Sequence, residues 1–320
     1  VVLILSTFGE NSSNTNSHVE LEKLNDIQKE ELLKIFYSDK VNRLDNYLHK
    51  ANKLYGFNGT VLVANNGEVI LNEAYGYENF ADKTPLTDSS VFQLASVSKQ
   101  FTAVAIMMLK EKGEIDLEED IRTYLPKLSY EGITVKHLLQ HTGGLANYMW
   151  MLEHHWKSEK IPTNKDLINL MSKLNMSVYF TPGRKHDYSN TGYAILASIV
   201  ESVTGKTFGE FMNDNIFIPL EMNHSFVYSA AYNEDHPEKL NGYIRKWRKL
   251  RVYDQTLHDG IVGDKGVYST TGDMYKWDQA LYNSNLLSKE SLEEVFTYGK
   301  IRNRWEFPYG YGFRLKSIGK

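Results

Sequence analysis

Ser96 and Lys99, within the run Ser96-Val97-Ser98-Lys99, set a hydroxyl and an amine three residues apart. On a helix that spacing puts both on one face, where a lysine amine can take the hydroxyl proton and free the serine oxygen to attack a carbonyl. The N–H groups and the dipole at a helix start would then stabilise the oxyanion that forms. The same spacing recurs at Ser317-Ile318-Gly319-Lys320, so spacing alone does not define a site. Context separates the two. After Lys99 the stretch from Phe101 to Leu109 carries one polar side chain, which predicts a helix buried all round. Ser96 falls at or near its N-cap, and Gly113 marks its end. The second match follows a strand-like stretch, Tyr309 to Leu315, and has no helix to carry it.

A supporting set lies at Tyr188-Ser189-Asn190, after the turn Thr181-Pro182-Gly183 and before a helix predicted from near Thr191. Beside an activated serine, a tyrosine can shuttle protons between the hydroxyl and a leaving group. An asparagine amide can hold the lysine or a substrate carbonyl. Taken in isolation, Asn190 would be a helix cap and Tyr188 a packing residue. His137 and His141 have a metal-ligand spacing but no third ligand nearby, so no metal is expected. Glu118-Glu119-Asp120 reads as a solvated acidic face rather than a pair of glycosidase carboxylates.

The elements that must position these groups follow from periodicity. Val41, Leu44, Tyr47, Leu48, Ala51 and Leu54 predict a helix after Asp39 as cap, ending at Gly56. Gly59 to Ala64 and Glu68 to Tyr75 predict two strands joined by the hairpin turn Asn65-Asn66-Gly67. From Gly113 to Gly260 the pattern is mainly helical, with helices over Ile133 to Gln140, Asn164 to Leu174, Thr191 to Val203 and Phe208 to Phe217. Strand-like residues return at Gly266 to Ser269 and at Tyr309 to Leu315. A sheet built from both ends of the chain, with a helical insert between, follows from that order.

Composition excludes several classes. A net charge of −4 leaves no basic stripe to neutralise phosphates, so nucleic acid is not an expected partner. The one basic cluster, Arg245-Lys246-Trp247-Arg248-Lys249-Leu250-Arg251, reads as a solvated strand or loop with aromatic spacing. The absence of cysteine removes disulfides, thiolate metal sites and cysteine nucleophiles. Val1-Val2-Leu3-Ile4-Leu5 followed by Ser6-Thr7-Phe8-Gly9 reads as the tail of a signal peptide, and the polar stretch from Glu10 to His18 as a flexible linker. The other reading of this apolar run is a short buried strand. No later apolar run is long enough to span a bilayer.

Phe92-Gln93-Leu94-Ala95-Ser96-Val97-Ser98-Lys99-Gln100-Phe101-Thr102 and Tyr188-Ser189-Asn190-Thr191-Gly192-Tyr193 resemble the first and second motifs of the serine β-lactamase-related superfamily. Class C β-lactamases, D-alanyl-D-alanine carboxypeptidases and related esterases are the nearest groups. Leu138 to Leu145, Phe217 to Met222 and Gly266 to Met274 resemble further marks of that superfamily. The resemblance implies an α+β, β-lactamase/transpeptidase-like fold, an antiparallel sheet flanked by helices with a mainly helical insert. The expected division is a leader tail and linker over 1–22, then one domain over 23–320. Within it an α/β lobe takes 23–95 and 262–320, and a helical lobe takes 96–261. By resemblance Ser96 is the acylated nucleophile, Lys99 its base partner, Tyr188 the general acid/base and Asn190 a positioning residue. A peptide, β-lactam or small ester is the implied substrate, with no cofactor and a periplasmic or secreted location in a bacterium. Oligomeric state is left open. The other function class is a silent relative that binds cell-wall peptide or a protein through the same cleft.

The superfamily's third motif, a Lys or His, a small residue and Gly on an edge strand, is not found before Lys320, and Lys265-Gly266 does not substitute for it. That strand would supply one of two oxyanion donors, worth about 3 kcal/mol of transition-state stabilisation. The expectation is therefore a sequence truncated at both ends, impaired as it stands, from a longer hydrolase.

Overall fold

The computed structural model describes residues 2–7 and 26–316, apart from 233–235, 248, 254, 255, 284, 285 and 303. The chain divides into two compact units. One gathers the described residues of 1–92, 238–252 and 270–279, the other those of 93–237, 253–269 and 280–320.

In the first unit, β1 (Val2–Thr7) lies parallel to β2 (Gly59–Asn65), which pairs antiparallel with β3 (Glu68–Tyr75). The hairpin falls where alternation placed it, because Asn66 and Gly67 both adopt the positive φ that a two-residue turn requires. Helix α1 (Asp26–Tyr55) lays Leu48 against Val61, Leu71 and Tyr75, with Val41 and Leu44 at the edge of that cluster. Asp39 is not its cap. Neither Gly nor Pro interrupts Tyr37-Ser38-Asp39, so the helix runs straight through. Thr271 Oγ1 donates to Asn72 Oδ1 at 3.0 Å, tying the 270–279 stretch to β3. A separate two-stranded ribbon, β4 (Tyr243–Lys246) with β5 (Lys249–Val252), also belongs to this unit. Among the described residues no C-terminal strand joins the hairpin sheet. Its third strand comes from the N-terminal end, through the residues read as a leader tail or as a short strand.

The second unit is mainly helical. Helix α2 (Ser98–Glu111) packs on the helix Asn190–Thr204, here α6, and Phe101, Val104, Ile106 and Met107 are fully buried between them and their neighbours. Between the two in sequence lie α3 (Val135–Leu139), α4 (Tyr148–His155) and α5 (Asn164–Leu174). The α5 start is fixed by reciprocal bonds between Thr163 and Asp166, a capping box. Asn164, buried on that helix, spans Ala194 and Val262 through both ends of its amide. The stretch from Tyr309 to Leu315 is a tight turn rather than the expected strand. Gly310 N–H donates to Phe313 O at 2.9 Å, and one bridge pairs Tyr309 with Arg314. The expected α/β lobe takes 262–320, whereas of that stretch only 270–279 groups with the hairpin and the other described residues group with the helices.

Candidate active site

The nucleophile candidate does not cap a helix. Ala95–Val97 forms a single 3-10 turn, α2 begins at Ser98, and no side chain caps it. Ala95, immediately before Ser96, has φ +47, a left-handed conformation that costs a non-glycine residue roughly 1–2 kcal/mol. That kink leaves Ser96 exposed while Lys99 is 1% accessible, so the pair spans the boundary between solvent and core.

Lys99 Nζ meets three acceptors: Ser96 Oγ at 3.2 Å, Asn190 Oδ1 at 2.8 Å and the Asp264 main-chain carbonyl at 2.8 Å. The rings of Tyr188 and Tyr193 lie 4.9 and 5.6 Å from the same nitrogen. Sequence proximity supplies one of these partners, and α6 supplies the rest of the polar cage with the Asp264 loop. Asn190 can reach Lys99 because it is not the cap. Ser189 takes that duty, accepting the Gly192 N–H at 3.2 Å, and leaves Asn190 as the first helical residue with its amide free. A cavity of about 220 Å³ opens beside these residues, bordered by Tyr188, Asn190, Asn147, Tyr179 and Phe180.

Behind Tyr188 stands His141, itself left-handed at φ +57. The two rings are 4.4 Å apart, and the Tyr193 and Tyr309 rings lie at 5.0 and 4.7 Å from the imidazole. Nδ1 accepts the Ser189 N–H at 3.1 Å, so it carries no proton, and Nε2–H faces the Tyr309 hydroxyl at 3.0 Å. Burial, then the Lys99 charge, push the imidazole pKa down to about 2. His141 is therefore a neutral spacer with both nitrogens used, and its neighbour His137 turns elsewhere, accepting from Thr134 N–H at Nδ1. The Arg314 guanidinium carbon lies 5.7 Å from the Tyr188 ring centre.

The far wall of the lysine cage is held from below. Asp264 is fully buried, its Oδ2 accepts the Tyr148 hydroxyl at 3.0 Å, and Oδ1 has no partner among the described residues. Burial raises this carboxyl above the ordinary range, against the opposing pull of the Lys265 and Lys99 charges. Tyr148 N–H donates in turn to Thr191 Oγ1 at 2.9 Å, next to Asn190. Gly312 closes the assembly. Its φ is +80, and a Cβ there would lie 2.7 Å from the Lys99 carbonyl oxygen.

Ser96, Lys99 and Asn190 are thus joined by hydrogen bonds, and Tyr188 faces them by its ring. Asp264, Tyr148, Tyr193, His141 and Arg314 complete the surroundings without having been foreseen as site members. His141 lay within a segment of family resemblance, but nothing in residue type could mark Asp264, which serves through its backbone.

Penicillin-binding protein 4* of Bacillus subtilis (strain 168) is 37% identical over 278 residues, which is 82% of this chain and 60% of that protein. The D-aminopeptidase of Brucella anthropi is 28% identical over 279 residues, 82% of this chain and 50% of that enzyme. The crystal structure of a penicillin binding protein from Bacillus halodurans superposes with a TM-score of 0.72 at 27% identity, covering 84% of this chain and 83% of that one. The fold is thus of the β-lactamase and penicillin-binding type. The Beta-lactamase family model matches residues 44–319, and the chain belongs to that family. It spans less than two thirds of the length of either of these two sequence relatives. Among the described residues no helix is long and apolar enough to cross a membrane.

Proposed function

We propose that this chain is a serine hydrolase that forms an acyl-enzyme on Ser96 from a peptide, β-lactam or small ester, and that it works in the periplasm or outside the cell. The observation that carries the reading is the set of acceptors around Lys99 Nζ. When that nitrogen is an amine, its two hydrogens go to Asn190 Oδ1 and Asp264 O, and its lone pair faces Ser96 Oγ. The serine proton then passes to Nζ as Oγ bonds to the carbonyl carbon, and the ammonium that results keeps both fixed acceptors. Tyr188, beside Nζ, relays a proton to the departing amine or alcohol as the acyl-enzyme forms. Asn190 positions the lysine. The names of the relatives, a penicillin-binding protein and a D-aminopeptidase, favour a lactam or peptide acyl donor.

Covalent labelling tests this directly. A fluorescent penicillin or a fluorophosphonate is expected to leave one adduct on Ser96, located by peptide mass, with Ser96→Ala giving none. Lys99→Ala is expected to slow labelling roughly a hundredfold or more, the usual effect of losing a positioned base. A full-length protein that takes neither probe, or a Ser96→Ala protein that still labels, would refute the assignment and leave a binding role for the cleft.

A further inference from the structure

The ribbon of β4 and β5 plays no part in the proposed chemistry, and it is unusual in five respects. Tyr243 to Val252 holds five basic residues and no acidic one, in a chain whose net charge is −4. Trp247, just after β4, is 99% accessible, and Ile244, Leu250 and Val252 on the strands are exposed as well. The register sets Lys246 directly opposite Lys249, a like-charge pair that weakens a ribbon already lacking a third strand. Trp247 has φ +59, in a turn position that suits glycine or asparagine. Among the described residues no carboxylate pairs with Arg245, Lys246, Lys249 or Arg251. Each of these choices works against the stability of the ribbon, and none is repaid by packing. Where local rules are broken together, the reason lies outside the fold.

We infer that this ribbon is a peripheral membrane-docking element, with Trp247 entering the headgroup region of an anionic bilayer and Arg245, Lys246, Lys249 and Arg251 facing its phosphates. Indole is suited to that depth because its body is apolar and its N–H is polar. The exposed aliphatic side chains decide between a bilayer and a soluble polyanion, since only a bilayer offers hydrocarbon to them. At the base, Tyr243 stacks edge-on against Phe80 at 5.0 Å and reaches Glu78 O, so the tip is presented from an anchored root. One such element with a few charges gives weak, reversible attachment rather than insertion.

Co-sedimentation of the 320-residue protein with vesicles is the test. Vesicles of phosphatidylglycerol mixed with phosphatidylcholine are expected to carry the protein down, and pure phosphatidylcholine vesicles are not. Trp247→Ala is expected to lower the partition coefficient about tenfold or more, and Lys246→Glu with Lys249→Glu roughly 25-fold or more. Trp247→Tyr should restore most of the loss. All the substituted side chains are exposed, and unchanged melting temperatures for the variants would exclude misfolding. The inference is overturned if the anionic vesicles do not bind the protein or if both variants bind as well as the parent. It is equally overturned if Trp247→Ala is silent while inorganic polyphosphate displaces the protein, which would make the cluster a polyanion site. None of these readouts depends on Ser96.

Discussion

His141 governs the site without touching the reacting atoms. With Nδ1 on the Ser189 N–H and Nε2 on Tyr309, it fixes the loop that carries Tyr188 and the start of α6. Its pKa of about 2 in the fold, against an ordinary value of 6.5, sets the sign of a pH effect. Between those values the unfolded chain binds a proton that the folded chain refuses, so stability falls as pH drops below about 6.5, by up to 1.4 kcal/mol per pH unit for this one group. Above that pH both states are neutral and the contribution is complete. Chemical denaturation of wild type and His141→Asn at a series of pH values is expected to show the steeper acid loss in the wild type. By NMR the His141 ring should remain neutral as the pH is lowered through 6.5. A His141 resonance that titrates near 6.5 would contradict the buried geometry.

At the scale of elements, α2 and the 309–314 turn meet through a glycine. Gly312→Ala faces two penalties together, a left-handed φ and a Cβ driven to 2.7 Å from a backbone oxygen that cannot rotate away. The expected loss is about 2–4 kcal/mol, read from the denaturant midpoint, with slower acylation because the carbonyl displaced is that of Lys99. Gly113→Ala makes the comparison, since it has φ +73 but no neighbour within 4 Å. Only the backbone penalty applies there, roughly 1 kcal/mol; equal losses in the two variants would mean that the contact beneath Lys99 is soft. Much at this scale was readable in advance. Asn66-Gly67 fixed the hairpin register, and α5 spans the same residues that periodicity assigns, because a capping box and a left-handed Asn175 bound it. The cap at Asp39 was misread, since a good cap residue means nothing where the preceding turn is already helical. Ser96 lies where the motif puts it, near the helix start and one residue before the Val97 N-cap, but motif spacing does not reveal the 3-10 turn or the left-handed Ala95 that precede α2.

At the scale of the whole molecule, the legible part ends at connectivity. The first unit draws on three separated stretches of chain, and the return of 238–252 and 270–279 to it depends on long-range contacts that no local pattern encodes. Charge is distributed as unevenly as the chain. A net −4 protein should be repelled by an anionic surface, so any attraction must come from the ribbon at short range and be screened within about 10 Å at 0.1 M salt. Vesicle binding is accordingly expected to fall steeply as salt is raised from low to physiological levels, while labelling of Ser96 by an uncharged fluorophosphonate stays constant. Salt-independent vesicle binding would point to apolar adsorption instead of the charged ribbon.

One of the three acceptors around Lys99 belongs to no side chain. Because the Asp264 oxygen that receives its hydrogen bond is part of the peptide backbone, substitution at position 264 can alter the buried carboxyl and its tie to Tyr148 while leaving that acceptor chemically intact. The lysine is thus insured against mutation on one side and exposed to it on the other, where a single change at Asn190 removes the partner outright. Drift in descendants of this sequence should therefore be freer at 264 than at 190, even though the two residues hold the same nitrogen at the same distance.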